Sequence, residues 1–336
     1  MSSNTIHAWA APSKGAKLEP FDYDAGPLGP EHVEVQVEHV GICHSDLSML
    51  DNEWGSTKYP FVPGHEIVGT ITAVGSQVKG RKAGDRVGIG WFTGSCLHCR
   101  PCMAGDQHMC RATEQTIVGR HGGFADRVRA QWAWTFPLPA KLDAASAGPL
   151  FCGGITVFTP LLQANLKPTM RAGVVGIGGL GHLAVKFLKA WGCEVTAFTS
   201  SAAKHAEAKA LGAHHAIAST DAAALKQVRG SLDLIIVTVN VPLDWNAYVA
   251  ALRPKGTLHF VGAILQPVPV SVFSLMATKT VTGSGTGSPT AIADMLDFCA
   301  RHQIAPQVEA FPMAKVNEAM EHLRNGKPRY RVVLTR

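Results

Sequence analysis

Gly173-Val174-Val175-Gly176-Ile177-Gly178-Gly179-Leu180-Gly181 decides how the second half of this chain folds. Residues 173–175 read as a short buried strand, and a helix is expected over residues 180–190. The turn between them carries glycine at 176, 178, 179 and 181. Glycine there permits a tight turn, close approach of backbone to a pyrophosphate, and close packing of helix on strand. The helix N-terminus offers unpaired N–H groups and a partial positive charge to phosphates. A plain glycine turn is the alternative. The context favours a dinucleotide site made by Gly176, Ile177, Gly178, Gly179, Leu180 and Gly181.

Outward from this turn the pattern repeats. A second strand is expected at residues 194–198, and an alanine-rich helix at 202–211 ends before Gly212. Further strands are expected at 232–238 and 257–261. Alternating strands and helices imply a parallel sheet covered on both faces. Enzymes using NAD usually place Asp or Glu at the end of the second strand, where it holds the ribose 2′-hydroxyl. This chain has Thr199-Ser200-Ser201 there, with Lys204 one turn later. Three hydroxyls and an ammonium suit a 2′-phosphate, so NADP(H) is the expected dinucleotide. Ser201 as a helix cap with Lys204 in solvent is the plainer reading, and both can hold together.

The first third has a different texture. Val33, Val35 and Val37 alternate with polar residues, as in a half-buried strand, and residues 67–74 and 85–91 are further strand candidates broken by Gly75, Gly80 and Gly84. The region reads as a compact, irregular β-rich domain. Residues 292–336 should hold two helical segments and a last strand near 330–334, returning to the first domain. The chain is long enough, at 336 residues, for two domains. Formal net charge is +6 without a basic block, which disfavours a nucleic-acid arm. Neither a signal peptide nor a membrane-length apolar run is evident, so a cytoplasmic protein is expected.

Four of the eight cysteines crowd into Cys96-x2-Cys99-x2-Cys102-x7-Cys110. Two-residue gaps let successive sulfurs converge on one tetrahedral ion, and four thiolates leave no open position. This site should hold a structural zinc, with His98 and His108 as solvent-facing bystanders. Cys193 and Cys299 read as small buried hydrophobes. A catalytic zinc needs three protein ligands and an exchangeable position. Its candidates are scattered: Cys43 in Gly41-Ile42-Cys43-His44-Ser45-Asp46, His65 and Glu66 in Gly64-His65-Glu66-Ile67-Val68-Gly69, and Cys152 in Pro149-Leu150-Phe151-Cys152-Gly153-Gly154. Spacing alone does not bring them together.

Gly64-His65-Glu66 with Gly69, Gly75 and Val78, the four-cysteine stretch and the glycine turn occur in the order of the zinc-dependent medium-chain alcohol dehydrogenases, which the chain resembles over almost its whole length. Cys43-His44-Ser45-Asp46-Leu47, Cys152-x-Gly154-Ile155-Thr156 and Thr199-Ser200-Ser201 resemble the cinnamyl-alcohol-dehydrogenase-like branch, which includes bacterial broad-range aldehyde reductases. The resemblance implies an α/β protein: a GroES-like β-rich catalytic domain over residues 1–152 and 288–336, and a Rossmann doubly wound parallel-sheet domain over 153–287. It implies two zinc ions per chain, NADP(H), and a primary alcohol–aldehyde pair as substrate.

By the same resemblance Cys43, His65 and Cys152 are catalytic-zinc ligands, with Glu66 completing the resting coordination or standing just behind the ion. Asp46 would orient His65, and Ser45 would hydrogen-bond the substrate oxygen and pass its proton. His44 would lie near the pyrophosphate, and Thr156, Thr238 and Gly262 would help hold the nicotinamide half. A homodimer through the nucleotide domain is implied too. Two departures stand out: Ser48 replaces the histidine many relatives use in proton relay, and residues 111–123 look shorter. Trp54, Trp91 and Phe92, with Leu275 and Met276, are candidate pocket walls, which would favour benzylic, cinnamyl or medium-chain aliphatic aldehydes. Three rival readings are weaker. A zinc-ribbon nucleic-acid binder leaves the glycine turn unexplained. An NADPH-binding sensor without turnover needs only the four-cysteine zinc. A zinc-free quinone reductase has no use for Cys43, His65 and Cys152.

Overall fold

The computed structural model describes residues 4–336. The chain divides into two compact units. One runs through Cys152 and takes up again at Gly287–Arg336; the other is Gly153–Thr286.

The first unit is built on a seven-stranded sheet whose longest member is His32–Ile42. Val33, Val35 and Val37 are all buried, because residues two apart along a strand share a face. They join Val40, Ile67 and Val332 in one apolar core, and each such side chain removed from water contributes roughly 1.5–3 kcal/mol. The opposite face of the same strand carries Glu34, which pairs with Arg127 and Arg129 of the neighbouring strand Arg127–Gln131. Glu66–Val74 runs antiparallel to His32–Ile42 on one side. On the other, the last strand, Arg331–Thr335, pairs with Val332 opposite Ile42. Val308–Pro312 adds a parallel edge strand that the sequence reading missed. Its burial alternates only weakly, as an edge allows.

The second unit is a six-stranded, wholly parallel sheet. From one edge to the other, its strands are His215–Ala218, Glu194–Thr199, Arg171–Val175, Leu232–Val237, Leu252–Phe260 and Thr280–Gly283. In chain order this is third, second, first, fourth, fifth, sixth. The order reverses between the first and fourth strands, and ligands bind such sheets at that reversal, beyond the carboxyl ends. The first strand is followed by the helix Gly181–Trp191, one residue later than expected at each end. The expected helix at 202–211 is instead a 3-10 turn, Ala202–Lys204, leading into the helix His205–Ala210. The two edge strands went unread because each has four residues and little buried surface.

No single helix among the described residues is long and apolar enough to cross a membrane.

Candidate functional site

Cys43 closes the strand His32–Ile42 and opens the short helix His44–Leu50. Asp46, fully buried in the first turn of that helix, accepts hydrogen bonds from the Cys43 amide at 2.9 Å and the Gly64 amide at 2.9 Å. It also accepts from His65 Nδ1 at 3.1 Å. A carboxylate can only accept, so Nδ1 carries the proton and Nε2 is left as a lone-pair donor. The tautomer needed for metal ligation is therefore set by Asp46.

Nε2 of His65 lies 3.3 Å from Cys152 Sγ, and Cys152 Sγ lies 3.8 Å from Cys43 Sγ. A tetrahedral zinc at its usual bond lengths sets two sulfurs about 3.8 Å apart and a sulfur and nitrogen about 3.6 Å apart. The ligand atoms of Cys43, His65, Glu66 and Cys152 all lie within 4.8 Å of one another. The hydrogen bond from Cys152 holds the Cys43 thiol well below its ordinary range, which favours the thiolate that a metal requires. The donor set fits zinc.

Glu66 is fully buried, and Arg331, on the last strand, grips its Oε1. Its Oε2 has no hydrogen-bond partner among the described residues. An orphaned carboxylate oxygen beside two thiols and an imidazole is costly unless a cation satisfies it. Glu66 fits there because residue 41 is glycine: a Cβ at 41 would sit 2.0 Å from Oε2. The sequence reading missed Arg331. Its only sequence signal is a charge at the start of an otherwise apolar strand.

Ser45 is half-buried, with Oγ 3.7 Å from Cys43 Sγ. His44 is exposed and Ser48 buried. The Trp91 ring stands nearly perpendicular to the His65 imidazole, with centroids 5.0 Å apart, and Trp54 packs edge-on against Trp91 at 6.0 Å. Phe92 does not join them. It is buried against Trp134 at 5.2 Å, so it is core rather than pocket wall. Leu275 is half-buried and Met276 exposed in the other unit.

The four-cysteine lobe converges as well. Cys96 Sγ is 3.9 Å from Cys102 Sγ and 3.5 Å from Cys110 Sγ, and Cys99 completes the group. Amide hydrogen bonds from His98 and Cys99 bring the Cys96 thiol down to about 6. His98 is exposed. His108 is not the solvent-facing bystander expected, because its Nδ1 is shielded from solvent. Cys193 and Cys299 are both buried.

In the second unit, Gly176 has φ +88°, and a Cβ at Gly181 would meet the Gly176 carbonyl oxygen at 1.9 Å. A Cβ at Gly178 would meet nothing within 4 Å. Gly178 is not packed against protein; it borders open space at the helix N-terminus, as a phosphate cradle requires. Thr238 stitches the sheet reversal, its Oγ1 donating to the Val175 and Gly176 carbonyls at 2.9 and 2.8 Å. Ile177 is buried, and Gly179 and Leu180 are half-buried. Thr156 donates to the Gly285 carbonyl at 2.9 Å, and Gly262 packs tightly on the Val239 carbonyl.

Thr199 departs from the sequence reading. It is 1% exposed and its hydroxyl donates to the Ser201 carbonyl, so it shapes the turn rather than offering a hydroxyl to a phosphate. Ser200 and Ser201 are exposed, and Lys204 is half-buried nearby in sequence. Ser201 stands at the N-cap of the 3-10 turn, but its side chain makes no capping hydrogen bond.

Residues 29–140 match the alcohol dehydrogenase GroES-like domain family, and residues 179–301 match the zinc-binding dehydrogenases. The aldehyde reductase AdhA of Synechocystis is 54% identical over 331 residues, covering 98% of each chain. A cinnamyl alcohol dehydrogenase structure from Sorghum bicolor superposes with a TM-score of 0.94 at 39% identity, covering 98% of this chain and 97% of that one. A Helicobacter pylori structure, solved with NADP(H), gives a TM-score of 0.89 at 31% identity over 98% of each chain.

Proposed function

This chain belongs to the zinc-dependent medium-chain alcohol dehydrogenases, on their cinnamyl-alcohol-dehydrogenase-like branch, and we propose that it reduces aldehydes to primary alcohols with NADPH and runs the reverse oxidation with NADP+. One observation carries the reading: two thiols, an imidazole and an orphaned carboxylate oxygen converge at zinc-ligand spacing.

When bound, the zinc supplies a Lewis acid for the substrate oxygen, and the nicotinamide gives or takes the hydride. Cys43, His65 and Cys152 hold that metal, and Asp46 keeps the His65 ring in its ligating tautomer. Glu66, tethered by Arg331, stands beside the same position with one oxygen to offer. Ser45 is the group that moves a proton, at its Oγ, to or from the substrate oxygen. The Cys96, Cys99, Cys102 and Cys110 set holds a second, structural zinc, giving two per chain.

In the second unit the turn from Gly176 to Gly181 takes the pyrophosphate, and Ser200, Ser201 and Lys204 take the 2′-phosphate. Two neutral donors and an ammonium, with no carboxylate among them, supply the charge complementarity. Trp91 and Trp54 give the metal site an apolar, flat wall, which favours aromatic, cinnamyl or medium-chain aliphatic aldehydes over polyhydroxylated ones. The edge strand Thr280–Gly283 and the exposed Leu265, Val272, Phe273 and Met276 support a homodimer through this unit. Sedimentation at twice the chain mass would agree with the dimer; sedimentation at the chain mass would remove it. None of the eight cysteines is in a disulfide, which suits a reducing cytoplasm.

The test combines metal analysis with a cofactor assay. Two zinc ions per chain and oxidation of NADPH by benzaldehyde support the proposal. One zinc per chain and no turnover with any aldehyde would leave only a dinucleotide-binding protein.

A further inference from the structure

The helix Gly181–Trp191 carries a polar ring where its buried face should be apolar. His182 is fully buried, one residue past the last glycine of the turn. Its Nδ1 lies 3.1 Å from the Gly178 carbonyl oxygen, which also accepts the His182 amide at 3.0 Å. A carbonyl can only accept, so Nδ1 is a donor and the Gly178 oxygen receives two hydrogen bonds from one residue. Packing does not hold Gly178 itself, because a Cβ there would meet nothing within 4 Å. Glycine also has the widest conformational freedom of any residue. The ring therefore adds a second restraint to the one that the His182 backbone amide already places on the Gly178 oxygen.

The direction of that restraint matters. Across a trans peptide the C=O of residue 178 and the N–H of residue 179 point opposite ways. Drawing the Gly178 oxygen inward, toward His182, aims the Gly179 N–H outward from the helix N-terminus, where a phosphate would sit. Burying an imidazole costs free energy unless it is hydrogen-bonded, so an apolar side chain would be the better choice if packing alone decided the position. We propose that His182 is a positioning residue for the dinucleotide: its Nδ1–H locks the Gly178–Gly179 peptide with the Gly179 amide facing the pyrophosphate. This rests on the reading of the glycine turn as the NADP(H) site.

The test is direct binding, by fluorescence and calorimetric titration of the purified zinc-loaded protein, with two probes. NADPH carries the pyrophosphate; adenosine 2′-monophosphate carries only the 2′-phosphate end. Three variants are compared with the parent. In His182→Asn the amide nitrogen stands close to the position of Nδ1. In His182→Gln it is one bond further out, near Nε2. His182→Leu removes the donor. The dissociation constant for NADPH should rise about three- to tenfold in His182→Leu and His182→Gln, the size of one hydrogen bond. It should stay within about twofold of the parent in His182→Asn, and adenosine 2′-monophosphate should bind all four proteins alike.

Equal NADPH affinity in the Asn and Gln variants would overturn the proposal even if the Leu variant failed to fold. So would a parallel loss of both probes, which would mark general damage to the unit. A parent protein that binds neither probe would instead refute the dinucleotide reading, a distinct result.

Discussion

The two cysteine-bearing clusters of this protein are built in opposite ways. The lobe gathers Cys96, Cys99, Cys102 and Cys110 on one short irregular loop, and two of its thiols are only half-buried. The other site joins Cys43 and Cys152 across 109 positions of chain, with His65 and Glu66 fully buried between them. In the first, the ligands themselves supply the convergence, and a metal would organise the loop. In the second, the sheet supplies it. Asp46 pins His65, Arg331 tethers Glu66, and Gly41 leaves room for the Glu66 carboxylate. A loop-local cluster serves folding, while a cluster imposed by the fold can keep one position open and still hold its shape.

Removing one ligand from each cluster probes this contrast with the largest effects. Cys152→Ser should cost at least about a thousandfold in kcat/KM, since the metal position is lost outright. It should release one zinc and leave the melting temperature nearly unchanged. Cys99→Ser should also release one zinc, but here stability should fall by several degrees. Turnover per molecule retaining the other zinc should stay within about tenfold of the parent. Matched losses of activity and stability in the two variants would erase the distinction.

A smaller change asks whether the buried site is held from behind. Asp46→Asn preserves the shape but removes the charge and one of the strongest acceptors facing Cys43, Gly64 and His65. Zinc affinity at that site should drop about ten- to a hundredfold, with the lobe's zinc retained. Unchanged affinity, measured by competition with a chelator, would mean that Asp46 only caps its helix.

The same contrast explains what the sequence revealed. The lobe and the glycine turn are contiguous, so their local spacing could be read directly, and the Thr199-Ser200-Ser201 stretch was read in the same way, as a 2′-phosphate site. The alternation of Val33, Val35 and Val37 likewise made the central strand readable. Cys43, His65 and Cys152 have no common spacing, so only resemblance could group them before the sheet register was known. Arg331 was invisible for the same reason: its partner lies 265 residues away, across two strand pairings. Phe92 was misread because an aromatic beside Trp91 looks the same in sequence whether it faces a pocket or the core. Thr199 looked like a third phosphate donor, but its hydroxyl is spent on the Ser201 carbonyl.

A contiguous site should yield to a single local substitution. Ser200→Asp places a carboxylate at the exposed end of the second strand, where it would repel a 2′-phosphate and accept from a ribose 2′-hydroxyl. The preference for NADPH over NADH, as a ratio of kcat/KM values, should fall by about ten- to a hundredfold, or about 1.4–2.8 kcal/mol. Zinc content should be untouched. An unmoved ratio would place 2′-phosphate recognition elsewhere.

The smallest effect comes from comparing two buried histidines. His65 has Asp46 beside it; although burial opposes its charge, that carboxylate holds the imidazole above its ordinary range. His259, buried in the strand Leu252–Phe260, has only the Ser284 hydroxyl at 2.8 Å, and burial pushes it down to about 4. The folded chain therefore resists protonating His259, while the unfolded chain binds that proton readily near 6.5. Stability from this residue is complete above the unfolded value and is lost as pH falls from about 6.5 toward 4. Between pH 7 and pH 5 the loss should be on the order of 2 kcal/mol. His259→Gln keeps a nitrogen near the Nε2 position but cannot titrate. Its urea midpoint should fall less than the parent's between those two pH values, while metal loss on acidification affects both proteins alike. Identical shifts in parent and variant would show that His259 contributes nothing to acid sensitivity, and that burial without a charged partner leaves an imidazole here unperturbed.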